Sequence, residues 1–125
     1  MTLDPHGRAR DHMKDVWTWL PLAGALVAWL ALTRLGKISS KRAHELVGAG
    51  AQLLDVRSES EFASGHVPGA TNVPVDRLSA RAAALAQEGR PIVVYCASGM
   101  RSGGAKRILH KAGAEVYDLG AMSRW

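Results

Sequence analysis

The sequence predicts an α/β domain, a small parallel sheet flanked by helices and preceded by one transmembrane helix. Three observations carry that prediction. From Ser39 to Leu119, apolar runs of strand length alternate with stretches of helical spacing, an arrangement that builds a parallel sheet with helices on its faces. From Val16 to Thr33 there is no charged residue, a run of about eighteen that at helical rise nearly matches the hydrocarbon thickness of a bilayer. The single cysteine, Cys96, stands where the apolar run Ile92-Val93-Val94-Tyr95 meets a glycine-rich turn into a helix, which is a layout for a reactive loop.

Residues 1–15 are polar and mixed in charge and read as a disordered arm. Its His6 and His12 lack partners at ligand spacing, so no metal site is expected. Residues 16–35 are the expected membrane helix. Trp17 and Trp19 cluster near one end, Arg34 and Lys37 close the other, and Pro21 falls early enough to be tolerated. The junction Ala31-Leu32-Thr33-Arg34 lacks the small-x-small pattern of a signal-peptide cleavage site. Arg34, Lys37, Lys41 and Arg42 slightly outweigh Arg8, Arg10 and Lys14, which places the domain on the cytoplasmic side of a bacterial inner membrane, as a single-pass protein.

Residues 36–40 read as a linker and 41–125 as the domain. Ser39 or Ser40 caps a helix that carries Ala43, Leu46 and Val47 on one face and ends at Gly48 and Gly50. Gln52–Val56 is the next strand, and Ser58 with Glu61 forms a capping box that opens a brief helix presenting Phe62. Ala70–Pro74 is a short strand. Leu78, Ala82 and Leu85 mark a helix over Asp76–Glu88. Ile92–Tyr95, β-branched and aromatic without interruption, is a buried parallel strand with Cys96 at its carboxyl end. A helix follows over Ser102–Ala112 through Ala105, Ile108 and Leu109, stopped by Gly113, and Glu115–Leu119 is a last strand.

Composition narrows the function classes. Lys+Arg 16 against Asp+Glu 11 gives a formal charge of +5, but the basic residues are scattered without an aromatic-interleaved strip, so nucleic acid is excluded as a partner. The excess suits anionic lipid near residues 16–35, or steering of small anions. One cysteine excludes an internal disulfide and any CxxC motif. In the loop, the amides of Ala97 to Gly103 have no regular partners and can curl into an anion-binding nest around the sulfur, and Arg101 adds a full positive charge. That field favours the thiolate, the nucleophilic form. Asp55, Arg57, Glu61 and His66 read as scaffold: the carboxylate and guanidinium at a strand end tie loop amides and pair with neighbours such as Glu61, and His66 holds the turn Val67-Pro68-Gly69.

Tyr95-Cys96 through Arg101-Ser102, with Leu54-Asp55-Val56-Arg57, Glu61-Phe62 and Gly65-His66-Val67-Pro68-Gly69-Ala70-Thr71-Asn72-Val73-Pro74, resembles the single-domain rhodaneses, a sulfurtransferase family. The resemblance runs from Ser39 to the end of the sequence. It implies a sheet of five short strands, Cys96 as the catalytic residue that carries a persulfide, and Ala97, Ser98, Gly99, Met100, Arg101 and Ser102 as the substrate-binding loop. It implies a small sulfur-containing anion such as thiosulfate as donor, a thiol, protein or cyanide acceptor, and no cofactor. The dual-specificity phosphatases of the same fold have a loop longer by one, whereas only Ala97 to Met100 separate Cys96 from Arg101; sulfur transfer is thus expected over phosphate-ester hydrolysis. A membrane-tethered module that binds without turnover is the alternative, since fold does not guarantee activity. Members usually continue through a Gly-Gly pair and a Trp into a final helical segment. Here Gly120 is followed by Ala121 and the sequence stops at Trp125, so the last packing element is expected to be short or absent.

Overall fold

The computed structural model describes residues 7–34 and 36–125. They fall into two units, one ending at Leu35 and one spanning Gly36–Trp125.

The first unit is a single helix, α1 (Gly7–Arg34). It starts inside the stretch 1–15 expected to be disordered, so residues 7–15 are helical, and residues 1–6 of that stretch lie outside the described residues. From Val16 to Leu32 every side chain is exposed, Trp17, Trp19 and Trp29 among them. The transmembrane helix expected over 16–35 is not shown. Among the described residues no helix is long and apolar enough to cross a membrane.

The second unit is the expected α/β domain. Its elements are α2 (Ser40–Gly48), β1 (Gln52–Asp55), α3 (Glu59–Ala63), β2 (Thr71–Asn72), α4 (Val75–Gln87), β3 (Ile92–Cys96), α5 (Met100–Lys111) and β4 (Val116–Ala121), then one 3-10 turn, Met122–Arg124. The strands form one sheet in the order β2-β1-β3-β4, with every pairing parallel. The fifth strand is reduced to an isolated bridge between Lys37 and Asp118, closed by the Ile38 N–H donating to the Asp118 carbonyl at 2.8 Å.

Alternation along β3 assigns the two faces. Ile92, Val94 and Cys96 join the core under α4 and α5 with Leu78, Ala82, Ala105 and Leu109. Val93 and Tyr95 point the other way, into a second core with Ala43 and Leu46 of α2 and Leu119 of β4. The thiol is therefore delivered to the α5 side of the sheet. Beside it the ladder between β3 and β4 slips: Val94 pairs with Asp118 but Tyr95 pairs with Gly120, which leaves Leu119 as an extra residue. A bulge of this kind re-aims the strand end next to a site.

The caps explain the local folds. Ser39, not Ser40, caps α2, its hydroxyl accepting from the Arg42 amide. Ser58 and Glu61 make the capping box of α3. At the end of the sequence the last element is short as expected, yet it is docked: Trp125 stacks on His44 of α2 with ring centroids 3.8 Å apart, and its carbonyl accepts from Ser40 Oγ at 2.8 Å.

Candidate functional site

Cys96 ends β3 and is fully buried. The chain turns at Gly99, whose φ of 98° is left-handed. A Cβ there would lie 3.4 Å from the Cα of Gly120, so glycine is favoured both by the angle and by the close approach of β4. Helix α5 then starts at Met100, earlier than the expected Ser102. This turn brings two amides onto the sulfur: Gly99 N–H donates to Sγ at 3.0 Å and Ser102 N–H at 3.4 Å. Ser102 is in the first turn of α5, so the sulfur also lies at the positive end of a helix. Ala97, Ser98 and Met100 are exposed on the rim. Ser102 Oγ closes the loop by donating to the Gly99 carbonyl at 3.0 Å.

Arg101 does not hydrogen-bond the sulfur. Its guanidinium is held in a fork by Glu61, with Nη1 2.6 Å from Oε1 and Nη2 3.0 Å from Oε2. The Glu61 carboxyl is lowered to about 2, first by that Arg101 fork and then by hydrogen bonds at the Ser58 cap. Arg101 is raised in turn, by Glu61 first and with a contribution from Cys96 across the loop. The sequence placed Glu61 beside Arg57, whereas the structure gives it to Arg101. A cleft of about 420 Å³ opens against Arg101, between the Ser58–Ser60 cap of α3 and Pro74–Arg77 at the start of α4.

Asp55 and Arg57 are buried and pair with each other: Arg57 Nη2 lies 2.7 Å from Asp55 Oδ2, and the Arg57 backbone N–H donates to Oδ1 at 2.9 Å. Arg57 Nη2 also donates to the Gly65 carbonyl at 2.7 Å, which fixes the turn after α3. The Arg57 guanidinium is raised chiefly by its hydrogen bond to Asp55. His66 is exposed, stacks on Phe62 at 3.6 Å, and donates from Nδ1 to the Phe62 carbonyl at 2.9 Å. These contacts give Asp55, Arg57 and His66 scaffold positions. None of them is hydrogen-bonded to Sγ.

Four supporting residues escape the sequence reading. Buried Tyr95, pushed up to about 12 chiefly by burial, accepts from the Val67 amide through its hydroxyl at 3.1 Å. Asn72 donates to the carbonyls of Asp55 and Arg57, both at 3.0 Å. Lys37 donates to the Gly99 carbonyl at 2.8 Å and pairs with Asp118, which is buried in β4. A charge inside the apolar run Val116-Tyr117-Asp118-Leu119 was the available signal, because a buried carboxylate calls for a partner. Among the described residues no group of three His, Cys, Asp or Glu could hold a metal ion.

A thiol at a parallel-strand end, received by the amides of a glycine turn and a helix N-terminus, defines a protein of the cysteine-loop α/β class. Comparison with known proteins narrows the class: residues 39–125 match the rhodanese-like domain, and the chain belongs to that family. It is similar to the uncharacterized protein YqhL of Bacillus subtilis, 40% identical over 77 residues that make up 60% of each chain. It is also similar to the thiosulfate sulfurtransferase GlpE of Stutzerimonas stutzeri, 33% identical over 96 residues covering 75% of this chain and 87% of that one. Among solved structures, a rhodanese with anions from E. coli superposes with a TM-score of 0.56 at 31% identity, over 61% of this chain and 92% of the other. The chain spans 60% of YqhL's length, and 38% and 41% of two further curated relatives.

Proposed function

We propose that the domain moves a sulfane sulfur from an anionic donor such as thiosulfate to a thiol or cyanide acceptor through a persulfide on Cys96. The observation that carries this reading is the sulfur's pair of amide donors, Gly99 and Ser102, at the start of α5. The Cys96 thiolate attacks the outer sulfur of thiosulfate, an S–S bond forms, and the bond to the sulfonate sulfur breaks as sulfite leaves with its electron pair. The persulfide's terminal sulfur carries the negative charge, and the loop's N–H groups are placed to stabilise it. The acceptor nucleophile then attacks that sulfur and returns Cys96 as thiolate, a two-step exchange with ping-pong kinetics. Relatives named thiosulfate sulfurtransferase support the donor class. The cleft beside Arg101 is the route the acceptor would use.

The second reading, a tethered module that binds without turnover, draws on the closed state of the site: Cys96 is buried and Arg101 is occupied by Glu61. Mass spectrometry separates the two. Incubation with thiosulfate is expected to add one sulfur atom to the chain and none to Cys96→Ser; no gain in either would leave the module. We further propose attachment to a bacterial inner membrane through 16–35, with the domain cytoplasmic. The uncharged, exposed side chains of 16–32 and the basic residues that follow support it. Protease digestion of the domain in sealed inside-out vesicles, and its protection in right-side-out ones, is the expected result.

A further inference from the structure

Lys37 lies in the stretch read as linker, yet its ammonium is nearly buried, with 11% of the side chain exposed against 4% for Asp118. It contacts the back of the reactive loop. Nζ donates to the Gly99 carbonyl at 2.8 Å and to Asp118 Oδ2. Its stem passes over Gly120, where a Cβ would stand 3.4 Å from the Lys37 Cδ, and a Cβ on Gly103 would lie 3.8 Å from Nζ. Asp118 is itself fixed, because Oδ1 accepts from the Gly120 amide at 2.8 Å across the bulge. The cation, the carboxylate, the bulge and two glycines thus converge on one carbonyl.

That carbonyl matters because a peptide group is planar. No peptide bond in the described residues is cis, and in a trans peptide the N–H points opposite to the C=O. A Gly99 carbonyl drawn toward Lys37 therefore turns the Met100 N–H away from Lys37, toward the exposed side of the loop where Met100 lies. The same oxygen accepts from Ser102 Oγ at 3.0 Å, and Lys37 adds a charged donor from the opposite element at a glycine that does little to restrain the peptide by itself. Polarising the carbonyl also strengthens the N–H of the same peptide as a donor.

We infer that Lys37 is a positioning residue for the anion cup: its ammonium holds the Gly99–Met100 peptide with N–H facing the incoming donor anion, and Asp118 holds Lys37. The inference rests on the reading of this loop as the donor site. Without the ammonium, the Gly99 oxygen keeps the Ser102 hydroxyl but loses its charged donor and faces Asp118 Oδ2 as a second acceptor, so the peptide is held less firmly in the orientation that aims its N–H into the cup.

The test separates positioning from stability. Thiosulfate is titrated into the full chain in detergent, carrying Cys96→Ser to block chemistry, and Kd is read from the amide NMR shifts of Gly99 and Met100. Lys37→Met removes the grip on the carbonyl, whereas Asp118→Asn removes the pair's negative charge but keeps a side-chain oxygen that accepts from Nζ, so the ammonium stays on Gly99. Lys37→Met is expected to raise Kd about tenfold, and at least about threefold more than Asp118→Asn, although both lower Tm. A smaller difference between the two variants, or no binding by the parent, overturns the assignment. Sulfur loading of the Cys96 chain is scored separately. Loading without Lys37 dependence sinks only this inference, and Lys37-dependent binding without loading sinks only sulfur transfer.

Discussion

Two arginine–carboxylate forks stand near the thiol, and they differ in burial rather than in chemistry. Asp55 and Arg57 are neighbours at the end of β1 with 0% and 6% of their side chains exposed. Glu61 and Arg101 come from α3 and α5 and remain 35% and 37% exposed. The first pair also receives a backbone amide and holds the Gly65 carbonyl, so opening it would strand several buried groups. The second has water as a competitor on both partners. Burial makes one fork a fixture of the scaffold, and exposure leaves the other open to competition from water and dissolved anions.

The sharpest way to break that contrast is to cut the buried fork. Arg57→Met leaves Asp55 as a buried carboxylate without its counter-ion and releases the Gly65 turn. Breaking such a pair costs about 3–5 kcal/mol, enough to bring a domain of this size close to unfolding. Urea denaturation followed by circular dichroism checks it. An unfolding midpoint that barely moves would mean the pair is no fixture.

Cutting the exposed fork should act on function instead. Arg101→Met is expected to leave the urea midpoint almost unmoved, since half-exposed pairs are worth little. The KM for thiosulfate should rise about tenfold or more, the scale of a lost hydrogen bond to a charged group. Equal KM in parent and variant would show that Arg101 never leaves Glu61 to meet the donor.

The contrast also explains what could be read from the residues alone. Strand and helix positions follow from the spacing of Leu53, Leu54, Val56 and Ile92 to Val94, and the capping box at Ser58 and Glu61 is a local signal. Cys96, with Gly99 and Ser102 around it, was legible because the loop is one continuous stretch. The partners of Arg101 and Lys37 were not. Glu61 is 40 residues from Arg101 and Asp118 is 81 from Lys37, and tertiary packing, which no local pattern encodes, decides which carboxylate meets which cation. The fifth strand failed for a related reason: Lys37 and Ile38 carry too little apolar alternation to extend one bridge into a ladder.

The smallest expected effect tests whether the exposed fork forms in solution at all. The folded Glu61 carboxyl is lowered to about 2 from 4.5, so the unfolded chain takes up its proton first as pH falls. The fork's contribution to stability is therefore fully present above about pH 4.5 and is lost as pH drops toward 2. Glu61→Gln has no such proton to gain. The urea midpoint of the parent should exceed that of Glu61→Gln by a small margin at pH 7, and the margin should shrink at pH 4 and further at pH 3. Freed of its partner in the variant, Arg101 should also bind thiosulfate slightly better at pH 7, with KM lower by about threefold at most. A margin that stays constant from pH 7 to pH 3 would show that Arg101 does not hold Glu61 in solution, and the difference between the two forks would then be one of formation, not of burial.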